Sequence, residues 1–289
     1  MDLINKIIDL LFSVVFVFMN IKITVIHLIC VSFFVTFIYI FESKCEAKEK
    51  EQKWEYEYDY DNDYEGEVKI FDISGNIGVG KSEIISKLKQ LTENRNDFII
   101  VDEPVDIWEK TYVNGKNILE AFYENKENMA FTFQMFVMDT IYQRLLEIRS
   151  QAKEKSKKLG KPVIIIMERT LLSSYNVFAK MLYDEKYING YEWICYTQYY
   201  NRIVNNIEIN GYIYIRTDPK TCFNRIKTRG RPGEENITLT YLRKCDMYHE
   251  TFYNLIKNKY RCVIIPNEKC KMSPEYQNEI ENIMNFLEE

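Results

Sequence analysis

From Val68 onward, short runs of continuous apolar residues alternate with longer stretches that repeat every three to four positions. The runs Val68–Ile73, Phe98–Val101, Val163–Met167, Gly211–Ile215 and Cys262–Ile265 read as strands. The stretches 81–91, 118–124, 130–157, 170–184, 192–206, 219–228, 238–258 and 274–287 read as helices. Strands that are apolar at successive positions are buried on both faces, which is the condition of a parallel sheet covered by helices on each side. The pattern therefore predicts an α/β fold with a five-stranded parallel sheet, and no internal repeat is visible.

Upstream of Val68 the pattern changes twice. Residues 1–41 are almost wholly apolar, and residues 42–67 are charged, with tyrosines alternating with acids from Glu55 to Glu67. The stretch Ile23–Phe41 carries no Asp, Glu, Lys or Arg, and it approaches the length of about 20 residues that spans a bilayer. Ile7–Ile21 is a weaker span, interrupted by Asp9. Residues 7–41 are thus a candidate membrane anchor. Lys44, Lys48, Lys50 and Lys53 follow closely, which puts the remainder of the chain on the cytoplasmic side. A cleaved signal peptide has a shorter apolar core, and a mitochondrial presequence is rich in arginine, of which this zone has none. A mitochondrial location stays open, as does removal of the segment from the working protein. The charged stretch 42–67 is expected to be a disordered linker, and 68–289 a globular domain.

Charge and composition narrow the function classes. A net charge of −5 gives no basic field that would favour nucleic acid as a partner. The cysteines at 30, 45, 195, 222, 245, 262 and 270 form no C-x-x-C pair, and His27 and His249 stand alone, so neither a zinc site nor a Ser-His-Asp triad is expected.

The segment Gly75-Asn76-Ile77-Gly78-Val79-Gly80-Lys81-Ser82 matches G-x-x-x-x-G-K-[ST] between an expected strand and an expected helix. The glycines let the backbone curl so that N–H groups face phosphate oxygens, and the helix N-terminus adds its positive end. Lys81 can reach the β- and γ-phosphates of ATP, and Ser82 can ligate Mg²⁺.

The acceptor must come from the other strand ends, because ligands of open parallel sheets sit beyond the carboxyl ends of the strands. Glu103 follows the second strand and can take the proton of an attacking hydroxyl, while repelling an acceptor that already carries phosphate. Glu168 and Arg169 end the third strand; the carboxylate can hold Mg²⁺, and the guanidinium can neutralise the migrating phosphoryl group or orient the hydroxyl. Arg225, Arg229 and Arg231 lie before and within a Gly- and Pro-containing break and form a candidate lid over ATP. The plain structural readings of these groups are a strand-end cap, an ion pair and a solvated arginine face.

With these residues in view, the chain resembles the deoxynucleoside kinase family: deoxycytidine, deoxyguanosine and mitochondrial thymidine kinases and the broad-specificity insect enzyme. The resemblance covers about residues 68–268 and rests on motifs in order: the phosphate loop; Glu103-Pro104-Val105 with Trp108; Tyr123-Glu124-Asn125 and Phe131-Thr132-Phe133-Gln134; Glu168-Arg169; and Arg225-x-x-x-Arg229-Gly230-Arg231 with Glu235. It implies a P-loop nucleoside/nucleotide kinase-like fold with an arginine lid, and a homodimer packed through the long helices. It implies that Glu103 is the general base on the 5′-hydroxyl and that Arg169 binds near that hydroxyl. Tyr123 and Glu235 would hold the 3′-hydroxyl, and Gln134 would pair with the base. Trp108 and Phe131 would line the pocket, Phe131 having a plain core role as its alternative. Lys126-Glu127-Asn128-Met129 stands where many members have Pro-x-Arg-Trp, and Thr170 where Ser is usual.

Members favouring deoxycytidine or purines carry an Arg, an Asp and a smaller Ala at the positions held here by Ile141, Ser174 and Val137. An uncharged apolar wall suits thymine, so thymidine is expected as a substrate together with deoxycytidine. Two competing readings stay open: a nucleoside monophosphate kinase, which Glu103 disfavours, and a non-catalytic relative such as the structural subunit of respiratory complex I, which an intact Lys81, Ser82, Glu103 and Arg169 disfavour.

Overall fold

The computed structural model describes residues 67–205, 207–267 and 273–288; the apolar segment 1–41 and the linker up to residue 66 lie outside the described residues. Among the described residues no helix is long and apolar enough to cross a membrane.

Five strands, β1 (Val68–Gly75), β2 (Phe98–Val101), β5 (Val163–Glu168), β6 (Gly211–Arg216) and β7 (Cys262–Pro266), form one parallel sheet in the order β2-β5-β1-β6-β7. The strand alternation divides the core. Val163, Ile165 and Met167 of β5 enter one apolar cluster, and Ile164 and Ile166 enter the other, on the opposite face. The central strands β1, β5 and β6 therefore bury both of their side-chain rows, which their continuous apolar runs record, while the edge strand β7 leaves Ile264 exposed.

The first cluster is covered by α4 (Lys126–Leu159) and α7 (Gly190–Val204), and the second by α1 (Lys81–Leu91), α8 (Pro219–Arg229) and α10 (Pro274–Glu288). α9 (Leu239–Ile256) gives residues to both. The helix starts are locally encoded. Asn117 caps α3 (Ile118–Glu124) in a reciprocal pair with Glu120, and Asn189 caps α7 in the same way with Glu192.

Helix α4 begins four residues before the apolar periodicity does. The Asn125 side chain accepts from the Asn128 backbone N–H at 3.3 Å, so a polar first turn is held by its cap. The expected single helix 170–184 is in fact α5 (Leu171–Ser173), a π-helical stretch Ser174–Ala179, and α6 (Lys180–Asp184). A wider turn of this kind is a frequent mark of a functional site. Three further elements carry too little periodicity to be expected: α2 (Val105–Lys110), the hairpin of β3 (Tyr112–Val113) and β4 (Lys116–Asn117), and a 3₁₀ turn at Glu234–Asn236. The hairpin turns on Asn114 and Gly115, both with positive φ, the backbone that a two-residue hairpin loop requires.

Candidate active site

The phosphate loop leaves the end of β1 and enters α1 at Gly80. It packs against α8 closely enough that a Cβ on Gly78, where φ is +76°, would stand 2.6 Å from the Cys222 carbonyl oxygen. The Asn76 side chain anchors the loop from the other side, donating to the Leu242 carbonyl at 2.9 Å. Lys81 folds back across the loop, its ammonium donating to the carbonyls of Gly75 at 3.1 Å and Asn76 at 3.0 Å. Burial, reinforced by the Arg169 charge, pushes its pKa down to about 8.

At the end of β5, the Glu168 carboxylate accepts from the Ser82 hydroxyl at 3.3 Å and lies 4.0 Å from the Lys81 ammonium. Burial raises the pKa of Glu168. A hydroxyl and a carboxylate are hard oxygen donors. Mg²⁺ binds with one or two such protein oxygens and completes its shell with phosphate and water, so this pair fits that ion.

Arg169 ties the two halves of the site together. Its Nη1 donates to Glu103 Oε1 at 2.5 Å, and its Nη2 donates to the Gly75 carbonyl at 3.3 Å. Its guanidinium also lies 4.6 Å over the ring of Phe178. Burial opposes its charge, but the facing Glu103 overcomes that cost and raises its pKa. Arg169 holds φ at +61°, a left-handed backbone that costs a non-glycine residue free energy. Neighbouring contacts hold it there: its own N–H donates to the Ile73 carbonyl, and the next N–H, of Thr170, donates at 2.9 Å to the buried Asp72, which also bonds the hydroxyls of Thr170 and Ser74.

A cavity of about 1200 Å³ runs from this junction. It is lined by the loop residues Ile77, Gly78, Gly80, Lys81 and Ser82 and by Arg225, Arg229 and Arg231. Its wall also includes Trp108, Phe122, Tyr123, Phe133, Gln134 and Val137, with Ser174 and Phe178 from the π-helical stretch. Phe122 and Phe133 stack at 4.6 Å, and the Trp108 indole N–H donates to Thr140 at 3.0 Å, which fixes the aromatic walls. The Gln134 side chain is buried, and its Oε1 has no hydrogen-bond partner among the described residues. A buried amide oxygen without a partner costs stability unless a ligand supplies a donor.

Most of the residues expected from the sequence thus meet around one cavity, and six do not line it: Gly75, Asn76 and Val79 of the loop, and Phe131, Ile141 and Glu235. Ile141 is buried in the core, Phe131 packs partly buried against the core, and Glu235 is exposed. The carboxylate on the cavity wall is that of the neighbouring Glu234, which accepts from Arg229 at 2.7 and 2.8 Å and from Arg231 at 3.3 Å. Burial and the Glu234 charge together push the Tyr123 phenol pKa upward. Arg231 also pairs with Glu109 of α2 at 3.2 Å. Arg225 turns inward, donating to the carbonyls of Val79 at 2.8 Å and Asn267 at 2.9 Å. Glu234, Phe178, Tyr241 and Asn267 were not singled out by the sequence. For Glu234 a signal was present, an acid beside the expected one, with only burial to separate them.

A phosphate loop, a carboxylate–guanidinium pair and aromatic side chains on the wall of one cavity define a phosphotransferase of the P-loop class. The deoxynucleoside kinase family model matches residues 71–289, and the chain belongs to that family. Human deoxycytidine kinase is 32% identical over 203 residues, 64% of this chain and 75% of that protein. The mitochondrial deoxyguanosine kinase of Xenopus laevis is 28% identical over 209 residues, 65% of this chain and 74% of that protein. Among solved structures, the deoxyadenosine kinase of M. mycoides with dCMP and dCDP bound superposes with a TM-score of 0.60 at 25% identity, covering 76% of this chain and 98% of that one.

Proposed function

We propose that this kinase transfers the γ-phosphate of ATP to the 5′-hydroxyl of deoxynucleosides and accepts thymidine together with deoxycytidine. The observation that carries the reading is the Glu103–Arg169 pair, bonded to the phosphate loop at Gly75 and sharing one cavity with aromatic side chains and the unpartnered Gln134 oxygen. A deoxynucleoside spanning that cavity would meet Gln134 with its base and Glu103 with its 5′-hydroxyl. Glu103 accepts the hydroxyl proton, and Arg169 steadies the carboxylate and the incoming charge. Tyr123 and Glu234 would bind the 3′-hydroxyl, the role that the sequence reading gave to Glu235. Gly75–Ser82 and the lid arginines Arg229 and Arg231 would bind ATP, with Arg225 at the rim of the loop. Mg²⁺, held by Ser82 and by Glu168 directly or through water, would neutralise charge on the β- and γ-phosphates.

The cavity wall supports the thymidine assignment: Val137 and Ser174 line it, Ile141 is buried in the core, and none of the three is charged. A homodimer packed through α4 belongs to the same reading. A steady-state assay of the four deoxynucleosides, with thymidine monophosphate as a fifth acceptor, tests the proposal. Activity on thymidine and deoxycytidine is expected; purine-only activity overturns the base assignment, and preference for the monophosphate overturns the reaction.

A further inference from the structure

We propose that Asn267, at the end of β7, is a positioning residue that aims one backbone N–H of the phosphate loop at the bound phosphates. Asn267 is buried, 3% exposed, and its Nδ2 donates to the Val79 carbonyl at 2.8 Å across 188 residues of sequence. Arg225 Nη1 donates to the same carbonyl at 2.8 Å. With no cis peptide among the described residues, the Val79–Gly80 bond is trans, and a planar trans amide points its N–H opposite to its C=O. Holding the Val79 oxygen against β7 and α8 therefore turns the Gly80 N–H away from them, toward the interior of the loop. Released, the peptide can rotate and present a carbonyl lone pair to a phosphate instead of a donor, which turns an attraction into a repulsion.

Two observations tie this hold to the loop's composition. Gly80 has φ +102°, and a Cβ there would lie 2.2 Å from Asn267 Nδ2, so the amide approaches as closely as it does only because residue 80 is glycine. The backbone of Asn267 is fixed independently of its side chain. Its N–H donates to the Arg216 carbonyl at 2.9 Å, and its own carbonyl accepts from Thr217 Oγ1 and Arg225 Nη2, each at 2.9 Å. Changing the side chain thus alters the grip on Val79 while leaving the end of β7 in place.

The inference rests on the loop being the phosphate site of the proposed kinase. Asn267→Asp keeps the size and replaces the donor with an acceptor facing a carbonyl, and Asn267→Ala removes the donor. In the full-length protein both variants are expected to raise the KM and Kd for ATP and ADP about 10–100-fold, the equivalent of one lost buried hydrogen bond, with the KM for the deoxynucleoside within twofold of wild type. ATP affinity within twofold of wild type in either folded variant overturns the assignment. So does an equal loss for ATP and deoxynucleoside, and so does loss of cooperative unfolding in both variants, since each would make Asn267 a general structural residue. If the wild-type protein itself fails to bind ATP, the kinase reading falls first, and that result is distinct from the others.

Discussion

Arg169 Nη1 stands 2.5 Å from Glu103 Oε1, while Nη2 of the same guanidinium reaches the carbonyl of Gly75, the first residue of the phosphate loop. One planar group therefore sets the distance between the candidate base and the donor site. A lysine at 169 is a point charge on a flexible stem and lacks the planar fork that fixes both partners in one geometry. Arg169→Lys is expected to lower kcat about 10–100-fold, the scale of one charge-assisted contact, with the melting temperature little changed. Steady-state kinetics with thermal melts check this.

The adjacent acids Glu234 and Glu235 provide a second test. Glu234 is buried on the cavity wall between Arg229 and Arg231, whereas Glu235 is exposed. Glu234→Gln is expected to lower kcat/KM for the deoxynucleoside by about 10-fold or more, and Glu235→Gln to leave it within twofold. The opposite order of effects would return the role to Glu235.

Lys81 is already committed to the loop, bonded to two of its carbonyls. Lys81→Ala is expected to abolish phosphoryl transfer while leaving deoxynucleoside binding measurable by calorimetry. Residual turnover near that of the wild type would show that the loop is not the donor site.

Far from the cavity, Asp97 accepts from Arg95 at 3.0 Å through both carboxylate oxygens and from Lys161 at 2.9 Å. The hydrogen bonds from Arg95 hold its pKa below the usual carboxylate range. A carboxyl depressed in the folded state stabilises the protein above its unfolded pKa, and the contribution fades as pH falls toward the folded value. Asp97→Asn is expected to cost about 1 kcal/mol at neutral pH, a small figure because the Arg95 and Lys161 side chains are 40% and 52% exposed. Denaturant melts should show the difference between the two proteins shrinking below about pH 4.

The legible parts of the sequence were those where one local cause dominates. Burial in the sheet wrote the strands as apolar runs, most fully in β1, β5 and β6, and the phosphate-loop motif from Gly75 to Ser82 lies in adjacent letters. Where the cause is tertiary, the letters are silent. The π-helical stretch Ser174–Ala179, which brings Ser174 and Phe178 to the cavity, has the apolar pattern of an ordinary helix. The polar start of α4 has a local cause, the Asn125 cap, but the turn it holds lacks the apolar periodicity that marks the rest of the helix. Glu234 and Glu235 are the same residue type, and only the packing of the 3₁₀ turn selects one. Asn267 meets Val79 because only β6 separates β7 from β1, which runs into the loop, a neighbourhood that spacing along the chain does not reveal. The hairpin at Asn114-Gly115 did carry its own turn signal in the sequence.

The central claim is that the Glu103 carboxylate takes the proton of the acceptor hydroxyl. Glu103→Gln keeps an oxygen for Arg169 but loses the basicity, so single-turnover phosphorylation measured beside deoxynucleoside affinity tests it directly. Affinity close to wild type and a transfer rate lower by about 10²–10⁴ are expected. Transfer at a near-normal rate in that variant would contradict it.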